Sequence, residues 1–370
     1  MQSKLDADIA IIGGGAVGAA CAYTLSKYGL SIIVLEKERT FASKITGHNP
    51  GVVHSGCYYA PGSMRARVAV RGNKLLWEFV KKYNVPHRRC GKFIIANTEN
   101  QLSALEKVVQ NGQENGVKDL IVYDQKFFRK MVPNVVAKAA LFSKSTGIFD
   151  GIEFTHRLIE VAQSKNVIVA HSTKFTNAIR SGNFWQIITE SQTDYKPKVR
   201  YIVNAAGLSA LNLRNQIFPH KQQPKIFWEK GSFACSTKKN LFKHIVINAT
   251  VPGFPEPRVD CIPRLDGITQ FGPFCSYLTK PNDWSVAENT VDLVFSSVRN
   301  FLPTIQREDL QPYFAGISPK LEQTGNSSRD LIIEKDTTNS WIDLLGLSSP
   351  SLSAILAIGE QVQHLITEMS

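Results

Sequence analysis

The segment that constrains the fold most is ADIAIIGGGAVGAACAYTLSKYGLSIIVLEKE, residues 7 to 38. Two apolar runs, 9–12 and 31–35, flank a glycine-rich turn and a stretch of small residues, 16–27. Apolar runs of this length indicate buried strands, and the small residues between them favour a closely packed helix. The segment therefore predicts a βαβ unit.

Three glycines in the turn, Gly13, Gly15 and Gly18, have the spacing G-x-G-x-x-G. The first permits the tight turn, the second lets the backbone approach a pyrophosphate, and the third lets helix and strand pack closely. Glu36 ends the second strand, where a carboxylate accepts hydrogen bonds from an adenosine ribose, and Lys37 follows it in the predicted site. The unit predicts a bound dinucleotide, and the motif alone does not distinguish NAD from FAD.

Length and segment order predict two lobes, because 370 residues exceed the ~100 to 200 of a typical domain. Segments of the nucleotide-binding type at both ends imply a discontinuous cofactor-binding lobe of residues 1–87, 145–221 and 325–370. Residues 88–144 and 222–324 carry short apolar runs punctuated by Pro and Gly, which predict a mixed antiparallel sheet. The predicted fold class is α/β, or α+β overall, with a Rossmann-like lobe and an antiparallel substrate lobe.

Composition excludes several classes of protein. No apolar run reaches the ~18 to 20 residues that a membrane-spanning helix needs, and the first strand begins too early to leave room for a signal peptide. The formal net charge of +12 is spread along the chain without a long basic run. It therefore favours an anionic cofactor and an anionic small-molecule substrate over nucleic acid.

The cysteines show neither CxxC pairs nor the spacing of a metal site. They are Cys21, Cys57, Cys90, Cys235, Cys261 and Cys275. This scatter predicts mostly reduced core residues of an intracellular protein, with no metal and no disulfide.

Several further segments carry a resemblance to a known family. They are TGHNPGVVHSGCYYAPGSM, CGKFIIA, VNAAGL, LDGITQFGP, YFAGISPKL and LLGLSSPSLSAILAIGEQV. Over essentially the whole chain they resemble the FAD-dependent oxidoreductases of the D-amino-acid oxidase superfamily, and within it the L-2-hydroxyglutarate dehydrogenase or oxidase group. The pieces Thr-Gly-His-Asn and Val-His-Ser-Gly, in that order, are specific to this group.

The resemblance implies a non-covalent FAD that lies between the two lobes. The residues it assigns to the cofactor are Gly47, His48, Asn49 and Gly51 along the flavin, Ala206 and Gly207 at the dinucleotide, and Ser351 and Leu352 at a helix N-terminus. Such a helix end stabilises the negative charge of a reduced flavin. The electron acceptor stays open between oxygen and a quinone. The implied location is mitochondrial in a eukaryote and cytoplasmic in a bacterium.

The predicted reaction oxidises L-2-hydroxyglutarate to 2-oxoglutarate. It requires a hydride to pass from C2 to flavin N5 and a base to take the hydroxyl proton, and a neutral imidazole suits the second task. His54, on the substrate side by resemblance, is the candidate base, and the alternative is a histidine that only shapes its loop. For His48 we favour contact with the flavin or the loop. Alternative functions are oxidation of glycerol 3-phosphate or an amino acid, and flavin binding with weakened catalysis.

Three positions depart from the family pattern. Pro50 replaces a serine, and Asp260 replaces a histidine. Ser318 stands where many relatives have an arginine that can bind a carboxylate by two hydrogen bonds. Losing a cation and gaining a carboxylate weakens the case for a dicarboxylate substrate.

Other cations could replace the missing arginine. Lys320 lies two residues beyond Ser318, which on a strand places both side chains on one face. Arg264 and Arg258 are the other candidates, although each of these charges is otherwise expected to be a solvated surface group. Tyr59 is expected to pack, with its hydroxyl as a further candidate substrate contact.

Overall fold

The computed structural model describes residues 5–191, 195–221, 224–250, 259–322 and 330–369. Arg258, one of the candidate cations, lies outside these ranges. The strands in them are Ala7–Ile12 (β1), Ile32–Leu35 (β2), Val52–Val53 (β3), His87–Arg88 (β4), Lys92–Ala96 (β5), Leu120–Asp124 (β6), Ala139–Ser143 (β7), Gly147–Phe149 (β8), Val167–Ala170 (β9), Lys174–Ser181 (β10), Phe184–Glu190 (β11), Lys198–Asn204 (β12), Ile226–Lys239 (β13), Ile245–Asn248 (β14), Asp260–Pro263 (β15), Ile268–Leu278 (β16), Leu310–Leu321 (β17), Ile332–Asp336 (β18) and Trp341–Leu345 (β19).

Helices connect and cover these strands. The α-helices of the described ranges are Ala16–Leu25 (α1), Met64–Lys82 (α2), Glu99–Glu114 (α3), Gln125–Met131 (α4), Gly151–Gln163 (α5), Ala210–Ile217 (α6), Thr290–Val298 (α7) and Ser351–Met369 (α8). Short 3₁₀ helices cover Ser26–Tyr28, Gly207–Ser209 and Arg307–Asp309. The sequence analysis predicted α1 within the βαβ unit, and the family resemblance placed a helix N-terminus at Ser351, where α8 begins.

The first sheet contains the glycine turn. Its neighbouring strands run in the order β10-β11-β12-β1-β2-β9, and β19 joins β12 while β18 pairs with β19. The pairs β12–β1, β1–β2, β2–β9 and β12–β19 are parallel. The predicted βαβ unit is therefore confirmed as β1–α1–β2.

Both faces of the central strands β1, β2 and β19 are buried, which explains why these strands are apolar without alternation. Ile9 and Ile11 pack in one cluster with α1 and α8, whereas Ala10 and Ile12 face a second cluster that includes Trp341. Helix α1 consists of small residues because α8 approaches it closely. A Cβ at Gly359 would lie 2.6 Å from Thr24 Oγ1.

The second sheet has the strand order β17-β13-β16-β15-β14-β5-β7-β6. All its pairs are antiparallel except β14–β5. The expectation of short strands is wrong for β13, β16 and β17, which have 14, 11 and 12 residues. Their Gly and Pro residues lie at bulges and close approaches inside the strands and do not end them.

A small third sheet has the strand order β3-β8-β4. In sequence, its strands lie between the segments that form the other two sheets. The strands of the first sheet come from residues 7–35, 167–204 and 332–345, and those of the second from 92–143 and 226–321. This alternation has the same order as the proposed discontinuous lobes, whose boundaries remain a proposal.

Candidate active site

A cavity of about 1290 Å³ lies between the two large sheets. One wall is formed where the parallel strands β1, β2, β12 and β19 end, which is the edge at which open α/β sheets bind ligands. The other wall comes from β13, β15, β16 and β17. Ordinary small-molecule pockets have ~300 to 1,000 Å³, so this cavity has room for a dinucleotide and a substrate together.

The three motif glycines have separate geometric roles. Gly13 has φ +106°, and a Cβ there would lie 2.6 Å from the Ala205 carbonyl oxygen. A Cβ at Gly18 would lie 1.9 Å from the Gly13 carbonyl oxygen, so this glycine lets α1 pack on the turn. Gly15 differs, because it lines the cavity and a Cβ there would contact only Thr46 Oγ1, at 3.5 Å. Its missing side chain leaves space for a ligand.

Glu36 is buried, with 8% of its surface exposed, and lines the same end of the cavity. Its two carboxylate oxygens accept hydrogen bonds from the Gly14 N–H at 2.7 Å and the Glu38 N–H at 2.8 Å. These bonds fix the carboxylate beside the glycine turn, and each oxygen retains a lone pair for a ribose hydroxyl. Lys37 also lines the cavity and is exposed.

The loop from Thr46 to Gly51 crosses the middle of the cavity. His48 and Asn49 line the cavity, whereas Gly47 and Gly51 do not. A Cβ at Gly47 would lie 2.5 Å from the Ala42 carbonyl oxygen, and one at Gly51 would lie 2.5 Å from that of Phe149. These two glycines shape the loop and do not form the cavity wall.

Hydrogen bonds hold the loop in place. His48 Nδ1 lies 2.9 Å from the Lys44 carbonyl oxygen, and its ring packs on Trp284 with centroids 4.6 Å apart. The Asn49 side-chain oxygen accepts from the Gly51 N–H at 2.9 Å. Gln270 donates to the Pro50 carbonyl oxygen at 2.8 Å. Gln270 lies on β16, so the loop is anchored to the second sheet.

His54 lines the cavity after β3, and its backbone is bound on both sides. Its N–H donates to Ser353 Oγ at 2.9 Å, and its carbonyl oxygen accepts from the Asn73 amide at 3.0 Å. Its Nε2 lies 3.3 Å from Ser349 Oγ, which lies 3.3 Å from the Tyr59 hydroxyl. Tyr59 is not among the cavity-lining residues, and its hydroxyl joins this cluster through Ser349.

The turn that precedes α8 forms the wall beside His54. Ser351 and Leu352 line the cavity at the start of the helix, as do Ala206 and Gly207 after β12. The first turn of a 19-residue helix therefore faces the cavity, and the positive end of its helix dipole favours negative charge there.

The wall formed by the second sheet brings Ser318 and Lys320 together on one face of β17, as the strand spacing predicted. Lys320 is paired, however. Its Nζ lies 3.1 Å from Glu229 Oε2, and Glu229 is the register partner of Ser318 on β13. Asp260, with 7% of its surface exposed, also lines the cavity. Two carboxylates thus face the cavity, and Glu229 is the one paired with Lys320.

Arg264 does not line the cavity. It lies in the turn between β15 and β16, where its Nη2 bonds Asp266 Oδ2 at 2.9 Å and its guanidinium stacks on the Tyr313 ring at 5.1 Å. The local pair with Asp266 explains why this arginine does not replace the missing cation.

Sequence reasoning missed Glu229, Trp284 and Cys275, which all line the cavity. Trp284 belongs to a turn that is fixed by a 2.6 Å ion pair between Lys230 Nζ and Asp283 Oδ2. The hydrogen bonds from Lys230 and then from Ser285 hold the pKa of the Asp283 carboxyl well below its usual range. A tryptophan within the turn sequence PNDWS was the available signal, since aromatic residues on turns often contact ligands.

All six cysteines are free thiols, five of them buried, and Cys275 is exposed. Burial, and then the neighbouring Asp260, raise the pKa of the Cys261 thiol well above its usual range. Over the described ranges no three His, Cys, Asp or Glu side chains cluster as metal ligands would. None of the helices there combines the length and apolar character that crossing a bilayer requires.

Comparison with known proteins agrees with this fold and site. The family of FAD dependent oxidoreductases (DAO) matches residues 8–365, and the chain belongs to it. It is similar to a mitochondrial L-2-hydroxyglutarate dehydrogenase of Arabidopsis thaliana, with 26% identity over 98% of this chain and 84% of that protein. It is also similar to a glycerol 3-phosphate dehydrogenase of Caloramator mitchellensis, with 27% identity over 98% of this chain and 74% of that protein.

A solved structure supports the fold independently. L-alpha-glycerophosphate oxidase of Mycoplasma pneumoniae, determined with FAD bound, superimposes with a TM-score of 0.87 at 24% identity. The match covers 98% of this chain and 94% of that chain. The chain is therefore an oxidoreductase that depends on FAD.

The cavity fits this cofactor. Gly15 leaves its wall open where a pyrophosphate would approach, and Glu36 is fixed one strand away, as a dinucleotide requires. We propose that the loop at His48 and the start of α8 lie beside the flavin.

Proposed function

We propose that this enzyme oxidises an L-2-hydroxy acid, with L-2-hydroxyglutarate as substrate and 2-oxoglutarate as product. The observation that carries the proposal is the placement of an imidazole and a lysine, His54 and Lys320, in the wall of one cavity. An imidazole can accept the hydroxyl proton and an ammonium group can bind a carboxylate. The similarity to proteins named L-2-hydroxyglutarate dehydrogenase supports the same substrate.

In this mechanism His54 takes the proton from the substrate hydroxyl. Its backbone bonds to Ser353 and Asn73 hold the residue in place, and Ser349 Oγ, 3.3 Å from Nε2, orients the ring. When bound, FAD supplies the acceptor for the hydride that leaves C2. The first turn of α8 stabilises the negative charge that develops on this side of the cavity.

A carboxylate of the substrate would bind Lys320. Because Glu229 already pairs with this lysine, the substrate carboxylate must share or displace that interaction. Ser318 beside it supplies a neutral hydroxyl, which donates one hydrogen bond where an arginine would donate two. Binding of a dicarboxylate is therefore expected to be weaker than in a site with an arginine.

A second candidate function follows from the same wall. Glu229 and Asp260 place two carboxylates at the cavity, and this charge favours a substrate that carries an ammonium group. An amino acid would satisfy it, with its amine near Glu229 and its carboxylate near Lys320, which pairs with that glutamate. Glycerol 3-phosphate is a further alternative, from the similarity to a protein named for it.

An anaerobic absorbance titration of the purified, flavin-loaded protein tests these alternatives. The flavin band should bleach with L-2-hydroxyglutarate at lower concentrations than with glycerol 3-phosphate or L-proline. Bleaching by L-proline alone would support the amino acid function. A flavin that stays oxidised with all three substrates would contradict each of these catalytic functions and favour a flavin-binding protein with weakened catalysis.

The electron acceptor we propose is oxygen or a quinone. Mixing the reduced protein with air-saturated buffer or with a water-soluble quinone compares the two directly. For location we propose the mitochondrion if the source is eukaryotic, on the names of relatives such as the Arabidopsis protein, and the cytoplasm if it is bacterial.

A further inference from the structure

A second cavity lies behind the segment that carries His54. It has a volume of about 450 Å³ and is lined by Ser55, Asn73, Asp119 and Ser145 together with three cationic side chains. His54 lines the main cavity and Ser55 lines this second cavity, which we call the rear cavity. One short segment therefore separates two possible ligand sites.

The cations of the rear cavity are Arg89, Lys118 and Lys144, and all three are exposed. They come from three separate loops: the link from β4 to β5, the loop after α3, and the turn from β7 to β8. In the described part of the chain none of them forms an ion pair with a carboxylate. Three unpaired cations against the single carboxylate of Asp119 give this cavity a net positive charge.

Two buried polar atoms of the rear cavity have no hydrogen-bond partner within the described ranges. They are Ser55 Oγ, on a residue with 3% of its surface exposed, and Asp119 Oδ2. The other Asp119 oxygen accepts a bond from Ser145 Oγ at 3.1 Å. A buried polar atom without a partner costs free energy, so each such atom is expected to meet a ligand or water.

These observations define the chemistry of the missing ligand. It is an anion, because three cations surround it. It has an acceptor for the Ser55 hydroxyl, and it has a hydrogen-bond donor for Asp119, because an ionised carboxylate only accepts. A phosphate group that keeps one O–H meets all three requirements, whereas sulfate has no O–H at neutral pH and would be repelled by Asp119.

We propose that the rear cavity is a phosphate-binding site that uses Asp119 to select a phosphate with an O–H group. The phosphate is free hydrogenphosphate or belongs to a small phosphorylated molecule with a hydroxyl group. Ser55 donates to a phosphate oxygen, Lys118 and Lys144 neutralise the charge, and Asp119 accepts from the O–H. The site is separate from the proposed active site and does not rest on the proposed substrate.

Calorimetric titration of the flavin-loaded full-length protein at pH 7 and constant ionic strength tests the proposal. The titrants are sodium phosphate, glycerol 2-phosphate and sodium sulfate. We expect one phosphate site per chain and a Kd for sulfate roughly 10-fold higher or more, since sulfate leaves the Asp119 carboxylate unpaired. Tighter binding of glycerol 2-phosphate would identify a phosphorylated molecule as the ligand, and tighter binding of phosphate the free ion. Equal affinity for sulfate and phosphate, or no binding of either phosphate compound, would overturn the proposal.

Substitutions in the rear cavity test whether phosphate binds there. Lys118→Ala with Lys144→Ala should raise the phosphate Kd by roughly 10-fold or more, because two charge-assisted contacts are lost. Asp119→Asn should bring the sulfate and phosphate affinities together, and its amide oxygen can still accept from Ser145. The matched control, Lys126→Ala with Lys130→Ala, removes the same charge from α4 and should leave Kd unchanged.

Two results would overturn the assignment. One is phosphate binding that survives unchanged in the Lys118 and Lys144 double variant. The other is phosphate binding that is lost in Lys320→Ala, which would place the ion in the main cavity. Flavin absorbance and melting temperature, measured on each variant, confirm that the fold is intact.

Discussion

The two ends of the main cavity are built differently. At the end proposed to bind the nucleotide, here called the nucleotide end, the glycine turn and the residues after β12 present mainly backbone groups, fixed where parallel strands end. At the end proposed to bind the substrate, here called the substrate end, the wall includes the side chains of Glu229, Asp260 and Lys320, which lie on three strands of the second sheet.

This difference separates cofactor binding, which the family shares, from substrate binding, which can vary between its members. Backbone groups keep their chemistry when side chains change, so the nucleotide end can bind the same cofactor in proteins with different sequences. At the substrate end each substitution changes a charge or a hydrogen bond directly. Ser318 and Asp260, the two departures in charge that the family resemblance implies, both lie within regularly paired strands.

The largest expected effect is at the nucleotide end. Gly15→Val should raise the Kd for FAD by about 100-fold or more, because its side chain would prevent at least two hydrogen bonds to a charged pyrophosphate, each about 1.5–3 kcal/mol. Flavin content after purification and titration of the apoprotein with FAD measure the loss.

Gly15→Ala is the matched control for folding. Its Cβ would make an ordinary 3.5 Å contact with Thr46 Oγ1, so the apoprotein should melt near the parent temperature. Full FAD affinity in the valine variant would contradict the placement of the pyrophosphate. Gly18→Ala, which places a Cβ 1.9 Å from a carbonyl oxygen, should instead destabilise the fold itself.

His54 stands between the two ends and is expected to show the next largest effect. His54→Ala should keep FAD bound and slow anaerobic flavin reduction by roughly 10² to 10⁴ fold, the usual contribution of a positioned general base. Stopped-flow absorbance measures the rate. Reduction at the parent rate would show that this histidine only shapes its loop.

At the substrate end, Lys320 and Glu229 should act in opposite directions. Lys320→Ala should raise KM for L-2-hydroxyglutarate by roughly 10-fold or more, because the substrate carboxylate loses a charge-assisted bond. Glu229→Gln should lower that KM, because it releases the lysine from its 3.1 Å ion pair. Steady-state kinetics on both variants measure the effects, and a lower KM in Lys320→Ala would favour a cationic substrate group at this wall.

The smallest expected effect is a gain of function. Ser318→Arg should improve kcat/KM for dicarboxylates several-fold, since a guanidinium can form two parallel bonds to a carboxylate. Glu229, the register partner of this position, is expected to pair with the new arginine and so to reduce the gain in kcat/KM. Loss of activity together with good turnover of an amino acid by the parent would show a cavity shaped for a different substrate.

Local sequence signals were sufficient for the nucleotide end. Each element of the β1–α1–β2 unit is indicated by its own local sequence pattern, within about thirty residues. The same holds for β19, the turn that follows it and α8. The substrate end depended on register between distant strands. Glu229 pairs with Ser318 in the part of the β13–β17 ladder that lies on one side of a bulge between Phe233 and Ala234. The bulge shifts the register by one residue, and no local sequence pattern indicates where it lies.

Ion pairs of the second sheet show the same limit of prediction from local sequence. The partner of Arg264 is two residues away and was readable from the sequence, whereas the partner of Lys320 lies on another strand. Which of these side chains contact FAD or substrate remains a prediction until the variants are measured.

The hydrogen bond between the His54 N–H and Ser353 joins residues that are 299 positions apart. Translation at ~5–20 residues per second makes these residues about 15 to 60 s apart. During that interval the glycine turn exists on the nascent chain without the C-terminal wall of the cavity. If the start of α8 forms part of the FAD site, as proposed, FAD binds only after the Ser353 region is synthesised, and a ribosome that stops earlier releases a chain with an intact glycine motif and an incomplete binding site.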